Sequence, residues 1–189
     1  MAGTKGNRRT LYSKMVIKES LIKLLKHNEI HKITVTDICK EADINRGTFY
    51  SYYDNPFDLL QKIENEFFDE IVKFLNEDSK NQDNITALTK IFEMAKENED
   101  LSRILINDIG NERILKRIFY IANQDNINRM RVNISEKNSD YIDYLTRFAV
   151  NGTIGIVESW LQNDLKQSPR ELAELIHNIL SKFTELSNT

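Results

Sequence analysis

The chain has 189 residues, a formal net charge of −3, 40% hydrophobic and 29% charged residues, which is the make-up of globular material, either one moderate domain or a small module beside a larger one. Six glycines and two prolines are too few for a fold of many strands and tight turns, and no apolar run reaches the ~18 residues that span a bilayer. One cysteine, Cys39, excludes an internal disulfide and fits a reducing cytoplasm, and the start, Met1 to Arg9, has no apolar segment behind its basic residues, so no secretory signal is expected.

In chain order, residues 1–12 are polar and basic with Gly3 and Gly6, and predict a flexible basic arm. Residues 1–32 carry a net +6, leaving −9 for residues 33–189. A basic end on an acidic body suits an anionic partner, nucleic acid or membrane surface; a solvated basic helix with no partner gives the same pattern. From Ser13, a good N-cap, Ile17, Leu21, Leu24 and Leu25 mark one face of an amphipathic helix. Thr34 to Asp37 resembles a capping box with Asp in place of Glu, opening a short helix with Ile38 and Ala42 inward. Asp43-Ile44-Asn45 is a turn: Asp tolerates left-handed backbone, and Asn45 can cap the brief helix from Arg46 to about Tyr53.

Both prolines stand at helix starts, in Asn55-Pro56-Phe57-Asp58 and Ser168-Pro169-Arg170-Glu171. Beyond Pro56, Leu60, Ile63, Phe67, Ile71 and Phe74 predict a long helix ending at Asn81–Asn84. Helices follow around 85–96, 101–107, 112–132, 138–163 and 169–186. The expected fold is all-α, with about nine helices: a three-helix N-terminal unit at 13–55, then a larger helical unit at 56–189.

Ile33 to Tyr53 gives two short helices separated by three turn residues, as a helix-turn-helix requires. In such a motif the second helix enters the major groove. Arg46 can pair bidentately with guanine, Gly47 lets the backbone approach, and Thr48 offers a hydroxyl and a methyl. Tyr50 and Tyr52 can donate to phosphates, while Phe49 and Tyr53 pack inward.

From Lys14 to Leu60, through Ile33-Thr-Val, Ala42-Asp-Ile-Asn-Arg-Gly-Thr-Phe-Tyr50 and Asp58-Leu-Leu60, the chain resembles the TetR family of bacterial regulators. The resemblance implies that Thr36, Arg46, Gly47, Thr48, Tyr50, Ser51 and Tyr52 face double-stranded DNA, with Asn45 and Lys14 beside them. Two positions depart from the pattern: Asp43 stands where a turn glycine is usual, and Pro56 where a lysine usually opens the fourth helix, so one phosphate contact is expected to be missing. Less specifically, Tyr144-Leu-Thr-Arg-Phe-Ala-Val-Asn-Gly-Thr-Ile-Gly155 and Trp160 ahead of Ser168-Pro169 resemble a TetR subgroup that includes dihydroxyacetone kinase regulators, some of which answer to a protein partner.

A dimer is expected through the last two helices. Leu172, Ile176, Ile179, Phe183 and Leu186 recur at 4, 3, 4 and 3, a narrow apolar seam, and Leu145, Ala149, Gly152 and Ile156 form a row with a small centre. The alternative is that this pair packs only within its own subunit. Phe92, Phe119, Phe148 and Trp160 are candidates for lining an effector pocket, or are plain core. Cys39 reads as a packed small residue rather than a redox switch. His27, His31 and His177 lack metal-ligand spacing, and no nucleophile or phosphate-loop motif is present, so no metal, cofactor or enzymatic activity is expected. The combined expectation is a cytoplasmic homodimeric regulator, a repressor controlled by a small-molecule effector or, alternatively, a co-regulator or activator that binds a protein.

Overall fold

The computed structural model describes residues 3–77, 83–107, 116, 118–121 and 139–186. Eight α-helices have both ends among these residues, together with one 3₁₀ helix, Ile30–Lys32, and among the described residues there is no strand. We number the helices α1 (Gly3–Leu25), α2 (Val35–Glu41), α3 (Arg46–Tyr50), α4 (Pro56–Glu77), α5 (Asn84–Glu97), α6 (Glu99–Asn107), α7 (Ser139–Gln162) and α8 (Pro169–Leu186). The all-α expectation of about nine helices holds. The helix expected at 112–132 lies largely outside the described residues, although 116 and 118–121 are helical.

The chain divides into two compact units, residues 1–67 and 68–189. This boundary falls inside α4 and not ahead of Pro56, because Leu59, Leu60 and Ile63 are buried with the N-terminal unit. A second difference concerns the arm. Helix α1 begins at Gly3, not at Ser13, so residues 3–12 continue the helix instead of forming a flexible tail. Once the core-packed turns at Ile17 and Leu21 nucleate a helix, elongation through good formers such as Arg8, Arg9 and Leu11 is cheap, and it outweighs the ~1 kcal/mol cost of Gly6.

In the N-terminal unit, Ile17 and Leu21 of α1, Ile38 of α2, Phe49 of α3 and Leu59 of α4 are fully buried. Each short helix is started by its own side chains. The Thr34 hydroxyl accepts from Asp37 N at 3.2 Å, and the Asp37 carboxylate accepts from Thr34 N at 2.9 Å, a reciprocal capping box. The Asn45 side chain accepts from Thr48 N at 2.8 Å, and that of Asn55 from Asp58 N at 3.0 Å. Between α2 and α3, Asp43 takes φ 50°, the left-handed conformation that a short polar side chain tolerates.

In the C-terminal unit, α8 lies along α5, and Phe92, Trp160, Leu161, Leu165, Leu172, Ala173 and Ile176 form one buried cluster. Phe92 and Trp160 meet edge to face with centroids 5.8 Å apart. Trp160 Nε1 donates to the Gln167 carbonyl at 2.8 Å, which pins the α7–α8 connection to the core. Asp164 and Leu165 within that connection both have positive φ, 55° and 51°. Burial of the Leu165 side chain in the cluster compensates a backbone conformation that costs roughly 1–2 kcal/mol per residue.

The helix-start carboxylates tie stability to pH. Hydrogen bonds from Thr34 hold Asp37 below the usual carboxylate range; the Lys62 side chain and Asp54 N–H do so for Asp58, the Thr86 N–H and hydroxyl for Asp83, and the Ser168 N–H and hydroxyl for Glu171. A depressed folded-state pKa means that the unfolded chain takes up the proton first. The stabilisation is therefore complete above the unfolded-state pKa and lost as pH falls through the folded one. Thermal melts are expected to show the midpoint falling below about pH 4–5, and Asp37→Asn should flatten that acid limb while lowering stability at neutral pH.

Candidate functional site

The N-terminal unit presents α3 to solvent from a rigid base. Phe49 is fully buried and Tyr53 is 4% exposed, with their rings 5.8 Å apart. Burial, followed by the nearby Glu66 and Asp58 charges, pushes the Tyr53 hydroxyl up to about 12, so this residue stays neutral as part of the core. From the far side, Lys62 Nζ sits 5.2 Å above the Tyr53 ring and donates to the Tyr52 carbonyl at 3.2 Å and to Asp58 at 2.8 Å. Sequence reasoning missed Lys62; its spacing four residues after Asp58 on α4 was the available signal.

Above that base, Arg46, Gly47 and Tyr50 are exposed and Thr48 is half-buried. Arg46 Nη2 donates to the Thr36 hydroxyl on α2. Thr48 Oγ donates to Asn45 Oδ1 at 3.2 Å, and Ser51 Oγ donates to the Gly47 carbonyl at 2.8 Å. The proton of each of these two hydroxyls is thus committed within the head, leaving each oxygen with lone pairs to accept. A Cβ added to Gly47 would lie 3.2 Å from Asn45 Oδ1, so glycine here spares the cap as well as leaving the backbone open. Tyr50 is 56% exposed. Lys14 Nζ lies 5.7 Å from the centroid of the half-buried Tyr52 ring, which brings a cation of α1 beside the end of α3.

The basic character of the N-terminus narrows once pairs are assigned. Lys18 faces Glu66, Lys23 faces Glu41, and Lys32 is 3.4 Å from Glu29. Arg8, Arg9 and Lys14 stand exposed on α1. At the start of α4, Asp58 accepts from Asp54 N at 3.0 Å, and Pro56, the first residue of the helix, carries no cation. Cys39 is 6% exposed, and burial pushes its thiol up, as for a packed residue. Among the described residues no group of three His, Cys, Asp or Glu is placed to hold a metal, and no helix is long and apolar enough to cross a membrane.

In the C-terminal unit the structure separates the sequence candidates. Phe92 and Trp160 are core partners. Phe119 is buried beside Tyr120. Phe148 is 62% exposed on α7. Two residues expected at a dimer seam are corrected: Leu172 and Ile176 are 2% and 1% exposed inside the chain's own cluster. Their 4-3-4-3 spacing marks a helix partner, and that partner is α5 of the same chain. Ile156 likewise packs against this cluster, and Leu145 and Ala149 are half-buried. The Phe183 side chain lies outside the described residues. The surface face is instead built from Tyr144 (70% exposed), Phe148, Gly152 and Gly155 on α7 with Leu175 (48%) and Ile179 (36%) on α8. Gly152, Gly155 and Leu175 border a groove of about 530 Å³ that reaches Trp160 and Leu172. Tyr144 and Leu175 had no place in the expected seam, although the i, i+4, i+8, i+11 spacing of 144, 148, 152 and 155 was legible.

Residues 82–182, more than half of the chain, match the TetR-type family model described as "Transcriptional regulator C-terminal region". The chain is 27% identical over 136 residues to the HTH-type dhaKLM operon transcriptional activator DhaS of Lactococcus lactis subsp. lactis (strain IL1403), covering 71% of this chain and 68% of that protein. It is 24% identical over 174 residues to an uncharacterised HTH-type transcriptional regulator, YxbF, of Bacillus subtilis (strain 168), covering 88% of this chain but 44% of that protein. The chain therefore spans less than half the length of the Bacillus relative. In fold it is similar to a TetR transcriptional regulator from Streptococcus agalactiae 2603V, at a TM-score of 0.65 and 23% identity over 97% of this chain and 98% of that one. With the family match over residues 82–182 added to the helix-turn-helix of α2 and α3, the chain belongs to the TetR family of transcriptional regulators.

Proposed function

We propose that the protein binds a palindromic DNA operator as a homodimer in the bacterial cytoplasm, represses transcription there, and is released by an effector acting on its C-terminal unit. The observation that carries this reading is the display of Arg46 and Tyr50 on a capped α3 whose underside, Phe49, is fully buried. A reading helix needs its outward side chains free to meet base edges and its inward ones locked. Arg46 then pairs with guanine, the Thr48 methyl or oxygen meets the neighbouring base, and Tyr50, Tyr52 and Lys14 hold phosphates. Effector and DNA favour different separations of the two heads, so each weakens the other's binding.

The dimer reading rests on the α7–α8 surface face. An internal helix glycine costs ~1 kcal/mol relative to alanine, and among the described residues a Cβ at Gly152 or Gly155 would meet nothing within 4 Å. Packing against the described residues therefore gives these glycines no role, whereas the approach of a second copy's α7 and α8 into a four-helix bundle does. A second reading, activation with a protein partner at the C-terminal unit, is favoured by the likeness to the activator DhaS. Deleting the gene separates the two: target transcripts rise for a repressor and fall for an activator.

Selection from random duplexes should recover two half-sites centred ~34–36 Å apart or a multiple of that. Affinity should fall steeply with salt as Arg8, Arg9 and Lys14 release counterions; salt-independent binding would contradict the assignment. Arg46→Ala is expected to cost ~1–3 kcal/mol and relax preference at one base position, whereas Tyr50→Phe should weaken all sequences alike. Gly152→Leu fits the isolated subunit, so its melting temperature should hold or rise while sedimentation shows monomers and operator binding is lost. A Gly152→Leu dimer would place the interface elsewhere.

A further inference from the structure

We propose that Thr36 is a positioning residue for base readout, its hydroxyl fixing the Arg46 guanidinium and tying it to the DNA backbone. The proposal rests on the DNA-reading role given above. Arg46 opens α3 with a long, exposed side chain, and ordering such a chain only on binding would consume conformational entropy. In the free protein it is already held, because Nη2 donates across the turn to Thr36 Oγ on α2. A guanidinium has five N–H donors, so spending one on Thr36 still leaves donors for the O6 and N7 acceptors of guanine.

The hydroxyl has one proton and two lone pairs. Accepting from Arg46 uses a lone pair and leaves the proton for an acceptor, which is what a phosphate oxygen offers. One oxygen atom can thus join the base-reading side chain to the backbone contact that sets its register. The neighbouring hydroxyls are committed elsewhere, Thr48 to Asn45 and Ser51 to Gly47. Nor does Thr36 start α2, since that cap belongs to Thr34 and Asp37; deleting its hydroxyl therefore spares the helix.

The test is a selection from randomised duplexes with the full chain, read alongside thermal melts. Thr36→Val keeps the shape and removes the hydroxyl. It should reduce preference roughly tenfold at the one base position that Arg46→Ala relaxes, with the melting temperature unchanged. Thr36→Ser should restore the preference, and Thr36→Val should relax that position no further in an Arg46→Ala background. A uniform loss over all sequences, with preference at the Arg46 position intact, would make Thr36 a phosphate contact alone and overturn the proposal. A melting temperature that drops for both Thr36→Val and Thr36→Ala would make its role packing, and overturns it equally. A wild-type chain that selects no sequence fails at an earlier step: it refutes the DNA-reading role, and this proposal with it.

Discussion

The burial of Phe49 beneath a five-residue helix is the constraint on which the reading head depends. A helix of that length cannot meet its own nucleation cost, so α3 persists because Phe49 and Tyr53 bury their rings below it and Asn45 caps it by accepting from the Thr48 amide. Lys62 closes the assembly from α4 by bonding the Tyr52 carbonyl and covering the Tyr53 ring. The side chains available for recognition are those left over once this base is satisfied. That is why the outward row, Arg46, Gly47 and Tyr50, is neither apolar nor engaged in the core.

Charge in the N-terminal unit follows the same economy of position. Lys18, Lys23, Lys32 and Lys62 face carboxylates of the unit itself, and exposed pairs of this kind add little stability. Their effect is to localise the remaining positive charge. Arg8, Arg9 and Lys14 lie along α1, which is helical from Gly3, so these cations are carried on a scaffold instead of a loose tail. Lys14 is held over the Tyr52 ring, linking α1 to the end of the reading helix.

The C-terminal unit makes α8 serve two surfaces at once. Leu172, Ala173 and Ile176 face the cluster around Phe92 and Trp160, while Leu175, about 100° around the helix from Ile176, faces outward, and Ile179, two turns beyond Leu172, is exposed. The connection to α7 is held by Trp160 and Leu165 although two of its residues are left-handed. A rigid connection of this kind keeps the outward faces of α7 and α8 side by side, with the glycines of α7 at the groove between them.

Local chemistry was legible in the sequence by itself. The Thr34–Asp37 capping box, the left-handed Asp43, the Asn45 cap and both proline helix starts are set by contacts within a few residues, and the four-residue spacing of Phe49 and Tyr53 puts them on one helix face, so the types at those positions were enough to find them. The helix-turn-helix and the all-α class followed from the same signals. Only the tertiary structure decided which partner each apolar face meets. Periodicity shows that Leu172 and Ile176 need a neighbouring helix, but burial is blind to which chain supplies it, and here α5 does. It likewise decided that α4 divides between two units, that Trp160 and Phe92 are spent on each other, and that Arg46 rests on Thr36. These are pairings between residues distant along the chain, and their geometry exists only once the helices have packed.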